Sequence, residues 1–185
     1  MDHGHFSSPW NSATVYVEPC FGSQTLSKAS GFFWAHGSRK FLVTNWHVLS
    51  GRNALTRNPM RADAAIPDGL KFFSYRRVGG STAQEESFRV DYVPVLVPLD
   101  DASTGDPQWL EHPSYGRRVD VAALDVTDIV ADLHHDCANR LEGDIPKQLK
   151  AGQDVFILGF PFGRISGAPA PVWKRGSIAL APTLY

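Results

Sequence analysis

His47 is the side chain in this sequence best suited to moving a proton, and its surroundings set the question of what it pairs with. It lies in Asn45-Trp46-His47-Val48-Leu49, directly after the β-type run Phe41-Leu42-Val43-Thr44, so an imidazole sits between two apolar neighbours on a short turn. A ring placed there needs a hydrogen-bonding partner to offset lost hydration. Taken alone, such a histidine is more often a core residue satisfied by a carbonyl. The sequence offers a better partner far downstream in Asp120, within Arg118-Val119-Asp120-Val121-Ala122-Ala123-Leu124-Asp125-Val126. Val119, Val121 and Ala123 alternate with Ala122, Leu124 and Val126, which predicts a strand apolar on both faces with Asp120 at its head. There an ionised carboxylate needs donors of its own. A basic ring and an acid meeting in this way suit nucleophilic catalysis. The carboxylate fixes the imidazole tautomer, and the other ring nitrogen takes a proton from the nucleophile.

The elements that must position these two residues read as strands. Ala13 to Pro19 alternates and is rich in β formers, and Gly31-Phe32-Phe33-Trp34 with Phe41 to Thr44 flank a polar turn as a hairpin. Gly69 to Val78 and Phe88 to Val97 predict a second hairpin with a long tip around Gly79-Gly80-Ser81-Thr82. Residues 54–68 and 100–117 are aperiodic and turn-rich, hence loops. Residues 127–150 are the only stretch with helical leanings and read as a solvated linker. Asp154 to Phe160 predicts a buried strand and Val172 to Leu180 a last one. The resulting division is a flexible tail over 1–12, a first β unit over 13–126 carrying His47 and Asp120, a linker over 127–150 and an incomplete second unit over 151–185.

Composition narrows the partners. The 185 residues are 43% hydrophobic, enough for a real core, and the formal net charge is −1 from 18 basic and 19 acidic side chains spread along the chain. Nothing there favours nucleic acid. The start, MDHGHFSSPW, lacks the charged and apolar regions of a secretory signal, and no run has the length of a membrane helix, so the expectation is a cytoplasmic protein without a membrane partner. Cys20 and Cys137 are far apart and outside any Cys-x-x-Cys pair, which predicts two free thiols. His3, His5, His134, His135 and Cys137 form a weaker metal-binding alternative, but neighbours such as His134 and His135 splay apart and do not easily share one ion. No metal or cofactor is expected.

Four blocks also resemble the trypsin-like serine proteases, particularly the bacterial, HtrA-like branch. Leu42-Val43-Thr44-Asn45-Trp46-His47-Val48 is similar to that family's catalytic-histidine block, and Val119-Asp120-Val121-Ala122-Ala123-Leu124 to its catalytic-aspartate block. Val155 to Gly163 and Lys174-Arg175-Gly176-Ser177-Ile178 resemble the early strands of its second barrel. The resemblance implies an all-β, chymotrypsin-like double antiparallel β-barrel, the first barrel complete and the second partial. It implies a serine endopeptidase with His47 as general base and Asp120 orienting it, acting on a peptide or protein substrate. The family's nucleophile, in a Gly-x-Ser-Gly-x-Pro block after the last strand seen here, has no counterpart, so the chain reads as truncated before it. Ser166, in Ser166-Gly167-Ala168-Pro169, is a poor substitute one residue out of register, and Ser177 sits in a strand pattern. The competing expectation is a noncatalytic trypsin-like fragment or pseudoenzyme that binds peptides. Oligomeric state is not legible.

Overall fold

A computed structural model describes residues 8–78, 89–142, 149–163 and 170–179. In chain order the elements are α1 (Pro9–Ala13), β1 (Thr14–Phe21), β2 (Gln24–Thr25), β3 (Ala29–His36), β4 (Arg39–Thr44), α2 (Trp46–Ser50), β5 (Gly69–Val78), β6 (Arg89–Pro98), β7 (Trp109–Glu111), β8 (Ala122–Asp125), β9 (Asp154–Gly159) and β10 (Val172–Ser177). The fold is all-β in class, and its strands pair antiparallel throughout.

Most of the strands form one sheet in the order β6-β5-β1-β3-β4-β8-β7, with β2 attached to β1. Alternation along the strands sends one set of side chains inward. Val15, Val17, Phe33, Leu42, Leu70, Phe72, Val97, Ala122 and Leu124, drawn from both halves of the sheet, share a single core. A flat sheet cannot bring both halves to one core, so this one is curled. Its terminal strands, β6 and β7, are consecutive in the chain. Residues 99–108 join them through a bridge between Asp100 and Pro107 and a bond from the Gln108 amide to the Leu99 carbonyl at 2.8 Å. The β3–β4 hairpin closes on Gly37-Ser38, and Gly31 in β3 lies so close to β4 that a Cβ there would stand 2.8 Å from the Val43 carbonyl oxygen. The β5–β6 hairpin pairs from Gly69 opposite Pro98 to Val78 opposite Arg89. Pro94 is tolerated within β6 because that strand ends the path.

Four local expectations need correcting. First, the strand expected from Arg118 is shorter: β8 begins at Ala122, whose partner is Thr44, the last residue of β4. Beyond Thr44 the chain turns into α2, so residues 119–121 have no strand to pair with. Ala122, Leu124 and Val126 are buried, whereas Val121 is 47% exposed, so only one face is covered. Second, part of the expected tail is ordered: α1 is one helical turn with Asn11 and Ser12 buried, and Trp173 Nε1 donates to Asn11 Oδ1 at 2.8 Å. Residues 1–7, with His3 and His5, lie outside the described residues.

Third, over its described residues 127–142 the segment with helical leanings forms only a 3-10 turn, Ala138–Arg140, and tertiary bonds set its path. Asn139 accepts from the Ala35 amide at 2.9 Å and donates to the Ala35 carbonyl at 2.7 Å, imitating a neighbouring strand where β3 has outrun β1. The His134 amide bonds to the Tyr75 carbonyl, and Val130, Leu133 and Cys137 pack into the sheet's core. The described part of this segment is therefore not wholly solvated: Val130, Leu133 and Cys137 are buried, while residues such as Asp128, Ala131 and Asp132 are exposed. Fourth, the sequence predicts a buried strand at β9, yet Phe156 and Ile157 are 58% and 60% exposed. Among the described residues it pairs only with β10, in a separate two-stranded sheet, and adjacent residues on a strand face opposite ways. Phe160, just beyond, does dock: it is buried, its amide donates to Ser30 Oγ at 2.8 Å, and its ring lies 5.4 Å from Tyr16.

One buried polar group was not foreseen. Glu18 on β1 faces Lys71 on β5 directly across the ladder, with Lys71 Nζ 2.6 Å from its Oε2, and it accepts from the Tyr16 hydroxyl at 2.8 Å and from Thr25 Oγ1 at 3.2 Å. Burial alone would push Glu18 up; the bonds from Lys71 and Tyr16 and the Lys71 charge outweigh it and hold the carboxyl below its usual range.

Candidate active site

The chain leaves β4 at Thr44 and enters α2 at once. Trp46, Val48, Leu49 and Ser50 of that turn are buried. Trp46 also donates from Nε1 to Glu111 Oε1 on β7 at 2.6 Å, which anchors the turn to the far end of the sheet. Gly51 ends α2 at φ 63°, and a Cβ there would stand 2.5 Å from Pro67 Cδ, so both backbone and space require glycine. With its neighbours turned inward, His47 projects sideways, its side chain 37% exposed.

Asp120 meets it there. His47 Nδ1 lies 2.7 Å from Asp120 Oδ2, and the His47 backbone amide donates to Asp120 Oδ1 at 3.0 Å. Asn45 Nδ2 adds a third donor, 3.2 Å from Oδ2, and also reaches the Asp120 carbonyl at 3.1 Å. An ionised carboxylate only accepts, so the hydrogen between His47 and Asp120 sits on Nδ1. In the neutral ring Nε2 is then the acceptor nitrogen, and among the described residues it has no hydrogen-bond partner. The Asp120 side chain is 39% exposed, and among the described residues it has no Lys or Arg ion pair. The pair is therefore not driven together by deep burial, as the apolar flanks of both residues had implied. Hydrogen-bond geometry aims it: residues 119–121 fall outside the ladder, which frees Asp120 to turn toward α2.

Two cavities reach this corner. One of about 310 Å³ is lined by His47, Leu26, Lys28, Val48, Met60 and Arg61 among others. A larger one of about 490 Å³ is lined by Asn45, Val121, Phe32, Gly31, Trp10 and Leu158 among others. Arg61 is already engaged, donating to the Leu26 carbonyl at 2.6 Å and to Asp63 Oδ2 at 2.7 Å.

The other candidates fare differently. Ser166 lies outside the described residues. Ser177 is exposed in β10, opposite Asp154. Among the described residues no three His, Cys, Asp or Glu side chains group as a metal site, so His134, His135 and Cys137 do not assemble one. His135 lies against the Phe33 ring at 5.0 Å; burial first, with the Lys40 charge adding, holds its imidazole below the usual value. Cys20 and Cys137 are separate buried thiols, each pushed up by burial. No helix among the described residues is long and apolar enough to cross a membrane. Asn45 and the Trp46–Glu111 tether were missed. The available signal for Asn45 was its type, since Asn directly before a helical turn is a capping residue. Comparison of the chain with protein-family models, with curated proteins and with solved structures finds no match.

Proposed function

We propose that this chain carries the proton-handling part of a trypsin-like serine endopeptidase, with His47 as general base and then acid and Asp120 as its orienting carboxylate. The supporting observation is the doubly bonded contact between them. One carboxylate oxygen takes the His47 Nδ1 hydrogen at 2.7 Å and the other takes the His47 amide at 3.0 Å. That holds the ring in one tautomer, on a side chain that is partly exposed and lines a neighbouring cavity. In this reading the curled sheet is the first of two antiparallel barrels, and β9 with β10 belongs to the second. The reaction is acyl transfer. Nε2 takes the hydroxyl proton as the serine oxygen bonds to the peptide carbonyl carbon. The imidazolium gives that proton to the departing amine, and water then releases the acyl group by the same route. Protein groups alone can run this chemistry.

The 185 residues contain no Gly-x-Ser-Gly-x-Pro sequence, so neither the nucleophile nor the oxyanion donors are assigned. A second reading is a noncatalytic fold of this type that binds peptides. A fluorophosphonate probe separates them when applied to protein expressed from its whole reading frame. Serine labelling that disappears in His47→Ala supports the endopeptidase. Labelling of equal extent in both removes His47 as the base, and no labelling of wild type leaves the binding module.

A further inference from the structure

We propose that Asn45 is a positioning residue for the His47–Asp120 pair, an inference that rests on the base-and-carboxylate reading above. Asn45 occupies the residue before α2, where asparagine ordinarily turns its side chain back to cap the helix. Here its side chain makes no capping bond. The free amide at the start of the turn, that of His47, is taken instead by Asp120 Oδ1. The capping task has passed to a carboxylate remote in sequence, and the Asn45 carboxamide is released to hold that carboxylate.

What it holds is otherwise loosely tied. Residue 120 lies outside the β4–β8 ladder, which begins at Ala122. The Asn45 bond to the Asp120 carbonyl fixes the backbone there, and its bond to Oδ2 fixes the side chain. A carboxylate turns easily about its last torsion, which has broad, roughly two-fold preferences. With Asn45 in place, Oδ2 receives two donors and Oδ1 one, which sets the plane of the group and its aim at Nδ1. Both atoms facing the carboxamide are acceptors, so its nitrogen is the end that points at them.

The test is the proton on His47 Nδ1, read by NMR of the 15N-labelled chain with no substrate or probe. Wild type should show a low-field Nδ1–H resonance and an unprotonated Nε2. Asn45→Ala should lose or broaden that resonance, with exchange against solvent faster by about tenfold, the worth of one hydrogen bond to a charged group. Asn45→Ser is the decisive variant: serine caps a helix as well as asparagine but is too short to reach Asp120. It should melt no lower than Asn45→Ala and still lose the resonance. A serine variant that keeps the wild-type resonance overturns the positioning role and leaves the base-and-carboxylate reading standing. A wild-type ring protonated on Nε2 instead of Nδ1 would overturn both.

Discussion

Replacing Asp120 with asparagine should invert the His47 tautomer while costing little stability, and the hydrogen-bond geometry dictates both parts. Three donors converge on the carboxylate: the His47 amide on Oδ1, and His47 Nδ1 with Asn45 Nδ2 on Oδ2. An asparagine carboxamide has one accepting and one donating end, so one side must face a like group. Turning the NH2 toward Oδ1 would oppose the backbone amide of His47, which has no alternative partner within a formed turn. Turning it toward Oδ2 is cheaper. His47 then moves its hydrogen to Nε2 and accepts on Nδ1, while Asn45 gives up its bond to the Oδ2 position and keeps the one to the carbonyl of residue 120. The loss is the charge-assisted part of one bond plus a weak exposed one, about 1–2 kcal/mol. For a chain of this length that is a fall in Tm of about 2–8 °C. Thermal melting reads the first quantity, and ring 15N–1H correlation reads the tautomer. In protein capable of turnover, Nε2 would now carry the hydrogen it should accept, and hydrolysis should fall by about 10⁴. A variant with wild-type tautomer, or one that loses more than about 5 kcal/mol, would show that the three donors do not converge on Asp120 in this way.

Three further perturbations probe the scaffold around the pair. Gly51→Ala forces a side chain into a φ of 63° and against Pro67, so urea unfolding should show a loss of about 3 kcal/mol; a loss below about 1 kcal/mol would mean the end of α2 is not built as described. Lys71→Met leaves the Glu18 carboxylate, 9% exposed, without its cation and should cost about 2 kcal/mol near neutrality, reduced from a fully buried pair because Lys71 is partly in solvent. Because Glu18 is held low in the wild type, its contribution is present above the unfolded value of about 4.3 and lost as pH falls, so the gap between wild type and variant should close in acid. His135 is depressed in the folded chain, so the unfolded chain takes up the proton first; its contribution is complete above about pH 6.5 and declines as pH falls below it. His135→Gln should flatten the stability profile in that window, and an unchanged profile would count against the burial of the ring.

Much of the arrangement was legible because it is local. The hairpin of β3 and β4 follows from two β-rich runs around a short turn, and β5 with β6 from another such pair, since alternation and turn residues act between near neighbours. The pairing of His47 with Asp120 could also be anticipated, because each residue's chemistry demands a partner of the other's kind. The physical reason was only half right. Both side chains are more than one-third exposed, so what joins them is donor and acceptor geometry and not rescue from a dry interior.

Residue types and their periods therefore determined the all-β class, most of the strands and the two side chains worth pairing. Tertiary structure alone decided that β4 stops at Thr44, that residues 119–121 consequently lie off the ladder, and that Asn45 turns from capping α2 to holding Asp120. It also decided that 127–142 forms no helix longer than the 3-10 turn Ala138–Arg140 and contributes Val130 and Leu133 to the core, with Asn139 bonding to Ala35. The division has a physical cause. Propensity and alternation are summed over a few neighbouring residues, whereas the end of a ladder is set by where a distant strand runs out of partners.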